Sequence, residues 1–273
     1  MSARYEILPF GAWEAEAAAV APVTLTITCS PRLGVEHTLT VAERARALGH
    51  RVVPHVAARM VADRSHLDTL MERLAAAGID DVFLIGGDAA APAGAFDSAV
   101  ELLPLMHAHE LRPRRIGIGA YPEGHPLVDR ATLADALCRK AAFADYMVTQ
   151  LCFDPAALLR WIEQTRAAGV DLPSYVGLPG AVDRRRLLEV SMRVGVGDSI
   201  GFLRKQRGIR RLLSRPERAV ERLGAAFAPL VGEPELAIEG LHFYTFNRLR
   251  ATLAWEAQRG SADGARAESA CDA

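Results

Sequence analysis

Eight short apolar segments recur along the chain, each followed by residues with helical spacing. They are Arg4–Pro9, Val23–Cys29, Arg51–Ala57, Asp81–Gly87, Ile116–Ala120, Asp145–Leu151, Ser174–Leu178 and Gly240–Thr245. Asp81–Gly87 (DVFLIGG) is almost continuously apolar, as a parallel strand buried on both faces must be. Between the strands, Glu36–Leu48 and Ser65–Ala77 carry helical spacing and stop at Gly49 and Gly78. Helices are also expected over 11–20, 95–107, 127–142, 155–168, 184–194, 196–208, 215–228 and 247–258. This alternation over about 255 residues predicts an α/β fold, a (β/α)8 TIM barrel. A doubly wound sheet would carry a glycine-rich turn after its first strand, and Glu6-Ile7-Leu8-Pro9-Phe10 has none. One domain is expected over 1–259, with a small, polar, disordered tail over 260–273.

In such a barrel, sites are built where strands end. The strand ends here carry Glu6, Thr26 and Thr28, His55, Gly86-Gly87-Asp88, Tyr121 with His125, Gln150 and Arg248. Glu6 lies among apolar neighbours. It reads either as a barrel-end carboxylate in a salt bridge or as a general acid whose pKa is raised by burial. Threonines in a strand are mostly β-propensity, and a lone histidine such as His55 is more often structural. Paired glycines let a ligand or backbone approach closely, and Asp88 reads as a site residue or a helix cap. Taken together, the set suits a ligand with a polar heterocycle and an anionic tail. No metal cluster at ligand spacing, nucleophile elbow or phosphate loop is present.

The balance of 32 basic and 33 acidic residues gives no basic face for nucleic acid. Only Lys140 and Lys205 are lysines, which singles out Lys140 beside Arg139 on the fifth helix. The four cysteines show no zinc or redox spacing, so a reducing cytoplasm is the expected location. The run Ala15–Val23 is too short and too charged to span a membrane.

YEILPF, VVPH, IGGD, AYPEGHP, VTQLCFDP and GLHFYTFNR resemble, in order, the marker segments of methylenetetrahydrofolate reductases. The resemblance runs from about residue 4 to 250, and the family fold is again a (β/α)8 barrel. It implies reduction of 5,10-methylenetetrahydrofolate to 5-methyltetrahydrofolate. By motif, it also implies Glu6 as proton donor, Asp88 and Gln150 as pterin contacts, and Arg248 near the benzoyl-glutamate end. Asp88 would also favour a cationic intermediate electrostatically. His55, Tyr121, His125, Arg139 and Lys140 match positions that hold FAD in the usual members. Thr26, Thr28, Gly86 and Gly87 are counted with this cofactor side.

The flavin side departs from the pattern. Gly86 replaces the family's arginine, and Leu133 and Ala136 stand where its aspartate and asparagine would be. Lost polar contacts worth roughly 1–3 kcal/mol each could remove most of a cofactor's affinity. The preferred expectation is therefore a flavin-independent branch, with NADH or NADPH passing hydride directly to the folate. The nicotinamide would lie among His55, Tyr121 and His125. FAD is the disfavoured alternative, and a non-catalytic folate-binding relative is another. Besides the folate, a homo-oligomer is compatible with the sequence.

Overall fold

The computed structural model describes residues 2–125, 128–181 and 216–258. Eight parallel strands close in sequence order into a barrel. They are β1 (Ser2–Ile7), β2 (Thr24–Ile27), β3 (Arg51–Ala57), β4 (Asp81–Ile85), β5 (Arg115–Ala120), β6 (Tyr146–Leu151), β7 (Ser174–Pro179) and β8 (Ile238–Tyr244). The fold class read from the sequence is the fold observed. Boundaries move by a few residues. β1 ends at Ile7 rather than Pro9, because beyond it the backbone of Leu8 bonds to the side chain of Asn247 instead of to a strand.

The helices are α1 (Trp13–Ala18), α2 (Gly34–Ala47), α3 (Arg64–Ala76), α4 (Ala99–His107), α5 (Arg130–Ala141), α6 (Pro155–Ala167), α7 (Pro216–Phe227) and α8 (249–258). α4 starts four residues later than expected, because the Glu101 carboxylate gathers the N–H groups of Asp97 and Ser98 there. α5 likewise starts at an Asp129 cap on the Thr132 N–H. The helices expected over 184–194 and 196–208, and the tail 260–273, lie outside the described residues. No helix among the described residues is long and apolar enough to cross a membrane.

Strand alternation sorts the side chains into two compartments. Tyr5, Ile7, Leu25, Ile27, Val82, Leu84, Ile116, Ile118, Val176 and Phe243 join the main core, which also takes in the helices. The alternate residues point into the barrel, where Val53, Phe83, Tyr146, Val148 and Tyr175 form a second cluster.

Polar groups accompany that inner cluster. At the N-terminal end, the Arg4 guanidinium lies between the rings of Tyr146 and Tyr175, 4.3 and 4.0 Å from their centroids. It donates to Asp81 Oδ2 at 3.0 Å and to the Tyr146 hydroxyl at 2.7 Å, and that hydroxyl donates to Asp81 Oδ1 at 2.7 Å.

Tyr146 fits because its strand partner is Gly117. A Cβ at Gly117 would stand 2.3 Å from the Tyr146 ring. Gly117→Ala is therefore expected to destabilise by about 1–3 kcal/mol through overpacking. Denaturant unfolding reads this directly, and a variant as stable as the parent would show that the ring can move aside.

Candidate functional site

Glu6 points into the barrel from β1, level with Thr26 on β2 and Tyr244 on β8. Its residue is 8% exposed. Its Oε2 lies 3.2 Å from His242 Nε2 and 3.7 Å from His55 Nε2. Burial pushes the carboxyl up to about 7, against a smaller downward pull from His55. Burial also drives both imidazoles toward the neutral form, His55 down to about 4 and His242 down to about 3. The group is thus an uncharged or singly charged acid between neutral rings. Around it, Thr26 Oγ1, His55 Nε2 and His242 Nδ1 are buried with no hydrogen-bond partner. Buried polar atoms are rarely left so, and an unpaired set beside an acid is what a ligand site presents.

The last strand and the turn after it fix Glu6 from behind. The hydroxyl and N–H of Thr245 both donate to the Glu6 carbonyl oxygen, at 2.6 and 3.2 Å. Asn247 Oδ1 accepts from the Leu8 N–H at 2.8 Å, and its Nδ2 donates to the carbonyls of Leu8 and Phe10 at 3.2 and 2.6 Å. Asn247 does this from a left-handed backbone, φ 60°. Asn247→Gly relaxes that backbone and removes the bonds. It should cost roughly 1–3 kcal/mol, measured by denaturant unfolding, because buried groups near Glu6 lose their partners. Unchanged stability would mean that the loop holds itself.

At the rim, Asp88 follows β4 and Tyr121 and His125 follow β5. The Tyr121 and His125 rings meet edge to face, centroids 5.3 Å apart. Partial burial raises the Asp88 carboxyl, with His125 opposing, and lowers the His125 imidazole, with Asp88 opposing. Burial and Asp88 both raise the Tyr121 hydroxyl. Burial, Glu6 and Tyr121 raise that of Tyr244, which donates to the Thr149 carbonyl at 3.1 Å. Glu6 and Tyr121 thus both act electrostatically on the Tyr244 hydroxyl, and Asp88 acts on the Tyr121 hydroxyl and the His125 imidazole. Tyr244 needs Gly177 beside it, where a Cβ would stand 2.8 Å from its ring.

The remaining predicted residues are placed variously. Thr28 follows β2, and its N–H donates to the Ile7 carbonyl. Gly86 is open, with nothing within 4 Å of an added Cβ. Gly87 takes φ 92° against Ala57. Gln150, next to last in β6, is exposed, with its Oε1 accepting from the neighbouring Leu151 N–H at 2.9 Å. Arg248 lines a surface cleft with Glu16, Arg250 and Ala251. Arg139 pairs with Asp135 on the exposed face of α5, at 3.7 Å. Lys140 donates to the Gly119 carbonyl at 3.1 Å, and burial lowers its ammonium to about 8. Leu133 and Ala136 are half-buried on α5 and offer no polar side chain. Among the described residues no group of three potential metal ligands occurs.

Sequence reasoning gave no role to His242, Tyr244, Thr245, Asn247 or Glu123. The Glu123 carboxylate accepts from the N–H groups of Phe153 and Asp154, at 2.5 and 3.0 Å, and ties the loop after β5 to the loop after β6. All five lie within GLHFYTFNR or AYPEGHP, so membership of those segments was the available signal.

Fold and site together define a TIM-barrel protein with a buried carboxylic acid at the mouth of its barrel. The profile of the methylenetetrahydrofolate reductase family matches residues 15–191, and the chain belongs to that family. It is 28% identical over 125 residues to methylenetetrahydrofolate reductase 2 of Saccharomyces cerevisiae, covering 42% of this chain and 21% of that protein. It is 24% identical over 200 residues to methylenetetrahydrofolate reductase 1 of Schizosaccharomyces pombe, covering 68% of this chain and 32% of that protein. The matched part thus spans about a fifth to a third of the length of these relatives. Among solved structures, tryptophan synthase from M. tuberculosis in its aminoacrylate-bound form is similar at TM-score 0.45 and 17% identity, over 83% of this chain and 92% of that one.

Proposed function

We propose that this chain reduces 5,10-methylenetetrahydrofolate to 5-methyltetrahydrofolate, with residues 1–259 acting as one reductase domain and NADH or NADPH as the hydride donor. The observation that carries the reading is the buried Glu6 carboxyl, raised to about 7 beside two neutral imidazoles. An acid near neutrality can be protonated at working pH and still give its proton up. Glu6 protonates N10 of the folate, the bond from N10 to the bridging methylene carbon breaks, and a 5-iminium cation results. Hydride from the dihydronicotinamide reaches that carbon, leaving the methyl product, the oxidised nicotinamide and a Glu6 carboxylate that solvent reprotonates. Asp88 at the rim, raised by burial and opposed by His125, would favour the cation in its ionised form.

The residues present suit a nicotinamide better than a flavin. Thr26 Oγ1 and His55 Nε2 are unpartnered and offer hydrogen bonds to a ring or carboxamide. On the flavin side, Gly86, Leu133 and Ala136 bring no donor, and Arg139 and Lys140 already have partners. No step is therefore assigned to FAD.

The test is an absorbance spectrum of the purified protein, followed by NADH oxidation with methylenetetrahydrofolate and no added flavin. A colourless protein that turns over supports direct transfer. A yellow protein, or one active only once FAD is supplied, makes it a conventional flavoprotein. A colourless protein inactive with and without FAD leaves only folate binding to be measured.

A further inference from the structure

Burial and hydrogen bonding decide which nitrogen of His242 carries its proton. His242 is fully buried, and its Nε2 meets Glu6 Oε2 at 3.2 Å. Its Nδ1 is buried with no partner. A neutral imidazole carries one N–H. Were that proton on Nδ1, an orphan donor would be sealed in the barrel, whereas on Nε2 it bonds to Glu6 and leaves only a bare lone pair behind. Buried orphan N–H groups are the rarer and costlier defect.

From this we infer that His242 is a positioning residue for Glu6: its Nε2–H donates to Oε2, fixes that oxygen, and steadies the carboxylate that remains once the acid has released its proton. The inference rests on the proposed reaction for its catalytic meaning, but the bond itself does not.

The other groups facing the pair are few. Arg4 lies below on β1 and disfavours a charge on His242. His55 on β3 stands 3.7 Å from the same Oε2. Tyr244 stacks edge to face on His242, centroids 4.9 Å apart, and its hydroxyl is coupled to Glu6. Thr26 on β2 and Gly177 on β7, the register partners of Glu6 and His242, do not titrate. None of these lies within hydrogen-bond distance of Oε2 as His242 does, so His242 is the group to change.

The experiment follows the Glu6 carboxyl band by infrared difference spectroscopy across pH, identified by its loss in Glu6→Gln. His242→Leu removes the donor and should raise the midpoint by about one pH unit or more. It should also lower kcat by about tenfold or more, with KM for the folate little changed. His242→Gln keeps a donating N–H and should restore most of both. A midpoint unmoved in His242→Leu, or moved equally in both variants, overturns the proposal. Should His242→Leu fail to fold, the nitrogen NMR spectrum of histidine-labelled parent protein decides. An Nε2–H tautomer for His242 supports the assignment, and an Nδ1–H tautomer overturns it. If the parent protein reduces no folate, the infrared and nitrogen readouts still report the bond, so the two failures are distinguishable.

Discussion

Glu6→Gln is expected to lower folate reduction by about 10²–10⁴-fold while leaving folate binding in place, as removal of a general acid does. The same change should make the protein more stable in alkaline solution. Glu6 titrates near 7 in the folded chain and near 4.5 when exposed. Below pH 4.5 both states hold the proton and nothing is lost. Between 4.5 and 7 the unfolded chain releases a proton that the folded chain keeps, so stability falls as pH rises. Above 7 the full cost stands, on the order of 3 kcal/mol for that displacement. Glutamine never ionises and escapes this cost. Thermal unfolding of both proteins at pH 5 and pH 8 checks it: the advantage of Glu6→Gln should grow with pH. Activity above about a tenth of the parent's would remove Glu6 from the acid's role. A stability gap independent of pH would mean that its carboxyl is not held protonated.

Arg4→Met should be the most damaging single change to stability, costing about 3–5 kcal/mol, because it leaves Asp81 buried without its counter-ion. Burial disfavours the Arg4 charge, yet Tyr146 and Asp81 more than offset this and hold the guanidinium ionised. Burial likewise pushes the Asp81 carboxyl up, against Arg4 and Tyr146. The pair is therefore interdependent rather than strongly stabilising. Arg4→Met combined with Asp81→Leu, which removes both charges, should recover much of the loss. A double-mutant cycle by denaturant unfolding measures the coupling. A loss below about 1 kcal/mol for Arg4→Met alone would show that water reaches Asp81.

The barrel was legible because its strands announce themselves locally: DVFLIGG and VTLTITC need no partner to be read as strands. Glu6 was legible as an acid among apolar neighbours. What surrounds it was not. His242 and Thr245 reach Glu6 from 236 and 239 residues away, and no local pattern marks that meeting. Arg4 and Asp81 were invisible for the same reason, each reading as an ordinary charge at a strand's start. Gln150 is expected from its motif to contact a ligand, and its amide oxygen accepts from the Leu151 N–H, a choice of rotamer that sequence does not encode.

The bonds from Thr245 and Asn247 to the strand that carries the acid also set a timetable. During synthesis at about 5–20 residues per second, the separation of 239 positions from Glu6 to Thr245 takes about 12 to 48 s to span. For that interval β1 has β2 on one side and a bare edge on the other, the kind of surface on which nascent chains aggregate. Whatever shields that edge on the ribosome also guards the acid, which has no fixed position until the final strand docks.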